Sequence, residues 1–102
     1  MKRMLVRYKA KPERADENQR LIEGVFQELR ARLPEGVRYA VFRLTDGTFV
    51  HVVETDGPTS PLPGLPAFQA FQSGLKERQA EAPQFSDATV VGNYRMFAPR
   101  EG

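Results

Sequence analysis

The sequence predicts an α+β domain in which strands and helices follow the order strand-helix-strand-strand-helix-strand. Three observations lead there. A β-rich opening segment runs into Pro12, after which apolar residues recur every fourth position. Asp46-Gly47 joins two β-branched runs, the signature of a tight hairpin. A second apolar stripe at helical spacing opens at Leu65-Pro66 and is followed by one more β-rich segment.

Residues 4–9 have the aromatic and β-branched content of a short strand. Pro12 cannot extend a central strand but suits the first turn of a helix. Glu13, Asp16 and Glu17 follow it, where negative charge complements the positive end of the helix dipole. Leu21, Val25, Leu29 and Leu33, with Ile22 and Phe26 beside them, form the stripe expected to be buried. Pro34-Glu35-Gly36 stops the helix, with Gly36 available for a left-handed turn.

Residues 37–44 and 48–55 are the hairpin strands. A two-residue turn at Asp46-Gly47 sets Leu44 opposite Phe49, Arg43 opposite Val50, Phe42 opposite His51 and Tyr39 opposite Glu54. Alternation then gives one sheet face with Ala40, Phe42, Leu44, Phe49, His51 and Val53. The other carries Tyr39, Val41, Arg43, Val50, Val52 and Glu54. Both faces are largely apolar. A sheet covered on one side only is expected to have a polar second face, so something else should cover this one.

A Pro- and Gly-rich connection, residues 56–64, precedes the second helix. Leu65, Phe68, Phe71 or Gln72, and Leu75 form its buried stripe; Lys76, Glu77, Arg78 and Glu81 are expected to face water, and Pro83 to end it. Residues 87–97 are the expected last strand, with Gly92 marking a bulge, and residues 98–102 a polar tail. This order describes a ferredoxin-like fold: a four-stranded antiparallel sheet with two helices on one face.

Composition limits the chemistry. At 102 residues, the chain is expected to form a single domain, 1–102, with one core. It has no Cys and one His, which excludes disulfides, thiol nucleophiles and His-rich metal sites. No apolar run approaches the roughly 20 residues of a membrane helix, and the basic start has no apolar leader segment, so the expected location is the cytoplasm. The net charge is only +2, and the third-strand run 47–52 only partly matches an RNA-recognition signature, which argues against nucleic acid. An acylphosphatase-like phosphate loop would need glycine after the first strand, where the chain reads Lys9-Ala10-Lys11-Pro12.

The element order, the tight hairpin and the run Phe49-Val50-His51-Val52-Val53-Glu54-Thr55-Asp56 resemble the dimeric α/β-barrel superfamily, and within it the antibiotic-biosynthesis-monooxygenase-like (ABM-like) proteins. That resemblance implies a homodimer whose two sheets pack face to face, which would cover the second apolar face. It also implies cofactor-independent oxygenation of phenolic compounds held between sheet and helices. Some active members use Trp, Asn and Arg together; this chain has no Trp.

His51 is the one side chain whose ordinary pKa lies near neutrality. As a general base it would deprotonate a phenol and make it electron-rich enough to meet oxygen directly. The competing reading is a structural histidine satisfied in the core or at a dimer seam. Phe42, Phe49, Arg7, Asn93 and Tyr94 are candidate substrate contacts, with Tyr8 a further hydrogen-bond donor. Tyr39, Arg43, Glu54 and Arg95 are assigned to a dimer interface, with Arg43 and Glu54 paired on one sheet face; the alternative is that Arg43 or Arg95 holds a substrate anion. The expected partners are a second copy of the chain and a small aromatic ligand, with no cofactor, metal or membrane. A ligand-binding or interaction domain without turnover is the rival to an enzyme.

Overall fold

The computed structural model describes residues 1–96. Strand β1 (Lys2–Ala10) leads through a 3-10 turn at Pro12–Arg14 into helix α1 (Ala15–Arg32). The hairpin strands β2 (Val37–Arg43) and β3 (Thr48–Thr55) follow. A second 3-10 turn (Leu62–Gly64) opens helix α2 (Pro66–Ser73), then come a single turn, α3 (Leu75–Arg78), and β4 (Gln79–Asp87). The sheet order is β2-β3-β1-β4, with every neighbouring pair antiparallel and the helices packed on one face. This is the ferredoxin-like α+β architecture expected from the sequence.

The hairpin register differs from the expected one by one residue. Leu44 N–H donates to Thr48 O at 2.8 Å, and Asp46 Oδ1 accepts the Thr48 N–H at 2.9 Å. The loop is therefore Thr45-Asp46-Gly47, three residues long, with Gly47 at φ 90° in the left-handed position that a three-residue hairpin requires. The extra loop residue slides β2 along β3, and a slip of one residue moves every β2 side chain to the other face. Tyr39 now pairs with Val53, Val41 with His51, and Arg43 with Phe49 on the helix-covered face. Phe42 pairs with Val50 and Ala40 with Val52 on the opposite face. The expected Arg43–Glu54 pair is not formed. Arg43 reaches Asp16 at 2.9 Å on the helix side, while Glu54 binds Arg3 and Arg38 on the other.

The core lies between α1, α2 and the sheet, around Ile22, Val25, Phe49 and Phe71, with the Tyr8 and Phe49 rings stacked 5.8 Å apart. The buried side of α1 is Ala15, Asn18, Ile22 and Val25, rotated from the expected stripe. Leu33 leaves that stripe entirely. It ends the helix in the left-handed conformation (φ 50°) and is 74% exposed.

Two expectations about the C-terminal half are corrected. The second helix does not run unbroken to Pro83; Gly74 interrupts it, and α3 turns Arg78 inward instead of towards water. The fourth strand is residues 79–87, not 87–97; residues 88–96 form no strand, and Phe97 and the tail at 98–102 lie outside the described residues. The segment 79–87 has weak β propensity, but it leaves α3 beside the free edge of β1, and backbone pairing there outweighs propensity. Pro83 fits because β4 is an edge strand and its ladder is irregular at that point.

Candidate functional site

A cavity of about 140 Å³ opens between the sheet and α2. An apolar cavity of about 150 Å³ is enough for a benzene-sized ring. Its walls are mostly apolar: Val6 and Val53 from the sheet, Phe68 and Phe71 from α2, and Phe85 from β4, which is 67% exposed at the mouth. Four polar side chains interrupt that lining: Gln72 from α2, and Tyr8, Tyr39 and His51 from the sheet. Each of these last three stands on a different strand and reaches the helix-covered face because its register position points there.

His51 is 5% exposed and sits between the two tyrosines. The Tyr8 hydroxyl is 3.0 Å from its Nε2, and the Tyr39 hydroxyl is 2.6 Å from its Nδ1. The Phe71 ring packs 5.5 Å from the imidazole, and Phe26 stacks on Tyr39 at 5.0 Å. Behind Tyr8 the polar chain continues inward. Asn18 Nδ2 donates to the Tyr8 hydroxyl oxygen at 2.8 Å, and Arg78 Nε donates to Asn18 Oδ1 at 2.9 Å. Arg78 Nη2 also donates to the Phe71 carbonyl at 2.6 Å, closing the C-terminal end of α2. The guanidinium is 2% exposed. It reaches this place because Gly74 leaves the space, with Arg78 Nη1 only 2.7 Å from where a Cβ would stand.

Burial sets the proton affinities. It lowers the His51 pKa to about 4, so the ring is neutral near pH 7. It raises Tyr8 to about 12, against the opposing pull of Asn18 and Arg78, and it raises Tyr39 as well, helped by Tyr8. Both phenols therefore keep their protons at neutral pH. Burial also lowers the Arg78 pKa, although a guanidinium stays charged in this range.

Of the residues singled out from the sequence, His51 lines this cavity, and Phe49 packs beside it in the core. Phe42 lies on the opposite sheet face. Arg7 points away from the cavity as well, opposite Val50 and Gln84. Asn93 and Tyr94 lie beyond the last strand, where Asn93 Oδ1 accepts the Met96 N–H at 3.0 Å and Tyr94 is exposed. Arg95 stands over the Tyr94 ring and belongs to no strand. Tyr39, assigned to an interface from the expected register, faces the cavity instead. Asn18 and Arg78 were missed. Asn18 left a trace in the sequence: a polar residue four positions before Ile22 and seven before Val25, on the apolar side of the helix. Arg78 left a similar trace, seven positions after Phe71 and three after Leu75, but its charge pointed to water.

No group of three or more His, Cys, Asp or Glu side chains able to hold a metal occurs among the described residues. No described helix is long and apolar enough to cross a membrane.

No protein-family model matches the chain, and no curated protein matches it in sequence. Solved structures do match in shape. An antibiotic biosynthesis monooxygenase superposes with a TM-score of 0.71 at 18% identity, covering 90% of this chain and all of the other. A Bacteroides thetaiotaomicron protein provisionally described in the same terms gives 0.74 at 17% identity, over 88% of this chain and 89% of its own. Rv0793 from Mycobacterium tuberculosis gives 0.70 at 13% identity, over 90% and 96%. At such low identity the likeness establishes architecture alone, and on that ground the chain has the fold of the antibiotic biosynthesis monooxygenases.

Proposed function

We propose that the chain is an ABM-like protein that takes a small aromatic or phenolic molecule into the cavity behind His51 and oxygenates it without a cofactor. The observation that carries this reading is the lining: a ring-sized space with aromatic walls, three polar groups from three strands and Gln72 from α2. For a simple phenol the reaction is phenol plus O₂ giving quinone plus water. One oxygen atom enters the ring, the other leaves as water, and the ring gives up two electrons beyond those of ordinary hydroxylation. A phenolate is rich enough in electrons to begin that exchange with oxygen itself.

His51 does not supply the phenolate by simple proton abstraction. Moving a proton from a phenol of ordinary pKa near 10 to an imidazole at about 4 is uphill by about 8 kcal/mol. Both ring nitrogens are also engaged by tyrosine hydroxyls. In this reading the substrate arrives as its anion, and a tyrosine hydroxyl steadied by His51 receives its oxygen. The weak basicity of His51 equally favours a second reading, binding without turnover.

Oxygen uptake with a panel of single-ring phenols, alongside ligand titration by NMR, separates the two. Uptake with quinone formation, reduced at least tenfold in His51→Ala, supports the enzyme. Saturable binding with no uptake leaves a binder, and no binding at all ends both readings.

The same proposal includes a homodimer. Its support is the uncovered sheet face, where Leu5, Ala40, Phe42, Val50 and Val52 lie together and only partly buried.

A further inference from the structure

The buried polar chain has a direction, and the direction says what the cavity presents to a ligand. A guanidinium only donates hydrogen bonds. Arg78 Nε therefore requires the oxygen of the Asn18 amide, which turns the amide nitrogen towards Tyr8. The Tyr8 oxygen accepts from Asn18, and its own proton remains for His51 Nε2 at 3.0 Å. A neutral imidazole has one N–H and one lone pair. With the lone pair at Nε2 taken by Tyr8, the proton sits on Nδ1 and is donated to the Tyr39 oxygen at 2.6 Å. The Tyr39 proton is then left over, at a cavity wall that Gln72 also lines, and it is donated to no acceptor among the described residues.

The other tautomer reverses only the last two links. His51 Nε2–H would donate to a Tyr8 oxygen that already accepts from Asn18. The Tyr8 proton, on a side chain 3% exposed, would have no acceptor among the described residues. A buried donor left without an acceptor gives up its hydrogen bond to water and gains nothing in return. Leaving the spare proton on Tyr39, which borders open space, avoids that cost.

We propose that Arg78, acting through Asn18, Tyr8 and His51, fixes the Tyr39 hydroxyl as the ligand-facing donor, so that the cavity selects a single aromatic ring carrying an acceptor oxygen. A phenolate or an aryl carbonyl meets that requirement. Arg78, Asn18 and Tyr8 are positioning residues in this scheme, and Tyr39 touches the ligand. The inference rests on the aromatic-ligand reading but not on turnover.

Two measurements on the intact protein test it. His51 is the single histidine, so its two ring nitrogens give the only imidazole signals in a ¹⁵N NMR spectrum. The expected result is a protonated Nδ1 and a lone-pair Nε2 at pH 7; the reverse assignment overturns the proposal. The second measurement compares benzaldehyde with styrene, which has nearly the same shape but no acceptor oxygen. Benzaldehyde should bind about fivefold more tightly, the value of one net hydrogen bond of about 1 kcal/mol. In Tyr39→Phe that preference should vanish while styrene binding holds. Equal binding in the wild type, or a preference that survives in Tyr39→Phe, overturns this inference alone. Failure of both rings to bind overturns the aromatic pocket and this inference with it, whatever the tautomer.

Discussion

His51 links proton binding to folding. Its pKa is about 4 in the fold and near 6.5 in an unfolded chain. Between those values the unfolded state holds a proton that the native state refuses, so stability falls as pH drops. The protection is complete above pH 6.5 and is lost progressively towards pH 4, about 3 kcal/mol in all. Urea midpoints at pH 7 and pH 4.5 should show the loss, and His51→Phe should flatten the slope in that window. Gly74 offers a second single-site test. Ala there would place its Cβ 2.7 Å from the Arg78 guanidinium and cost about 1–3 kcal/mol by overpacking. Gly24→Ala in α1 meets nothing within 4 Å and should stabilise by about 0.5–1 kcal/mol, so the two substitutions carry opposite signs in the same denaturation assay. His51 was readable in advance because it is the only imidazole of the chain. Arg78 was expected in water on its charge, although its spacing from Phe71 and Leu75 set it on the apolar side; the space at Gly74 that admits its guanidinium is visible only in the fold.

The β2–β3 hairpin shows how much a strand pattern can say. Both strands, and the presence of Gly47 in the turn, were legible from Asp-Gly between β-branched runs. The number of loop residues was not, since two- and three-residue loops share that dipeptide. That one residue moved Tyr39 into the cavity and Phe42 out of reach of it. Gly47→Ala should cost about 1–2 kcal/mol. Its Cβ would meet only ordinary contact, 3.5 Å from the Ala10 carbonyl, so the penalty is the left-handed backbone itself. Chemical denaturation measures it, and the retained cavity would be checked by ligand titration. Strand β4 was misplaced for the opposite reason. The β-branched residues near 89–91 drew attention past residues 79–87, whose pairing is decided by position next to β1.

Taken as one body, the domain has a covered sheet face and an open one. On the open face the apolar cluster around Val52 is bordered by an ion-pair row, with Glu54 held between Arg3 and Arg38 and Arg38 also on Asp56 at 2.8 Å. These bonds hold the Glu54 carboxyl below its usual range, chiefly through Arg38. Both faces remain largely apolar despite the shifted register, because the exchanged β2 residues, Arg43 apart, are apolar or aromatic on either side. Light scattering at micromolar concentration should report a dimer. Val52→Lys, which sets a charge in the middle of the open face, should give a monomer whose cavity still binds the same rings.

Pro83 gives the edge of the sheet a further consequence. Strand β4 borders solvent, and an exposed strand edge is a template for endless stacking of one chain on the next. Pro83 removes an N–H from that edge, and the register breaks beside it between Arg7 and Lys9. Growth along the hydrogen-bonding direction is thereby interrupted at this side of the molecule. Pro83→Val would restore a regular donor row, and amyloid-dye fluorescence after prolonged incubation should rise in that variant while the parent stays dark.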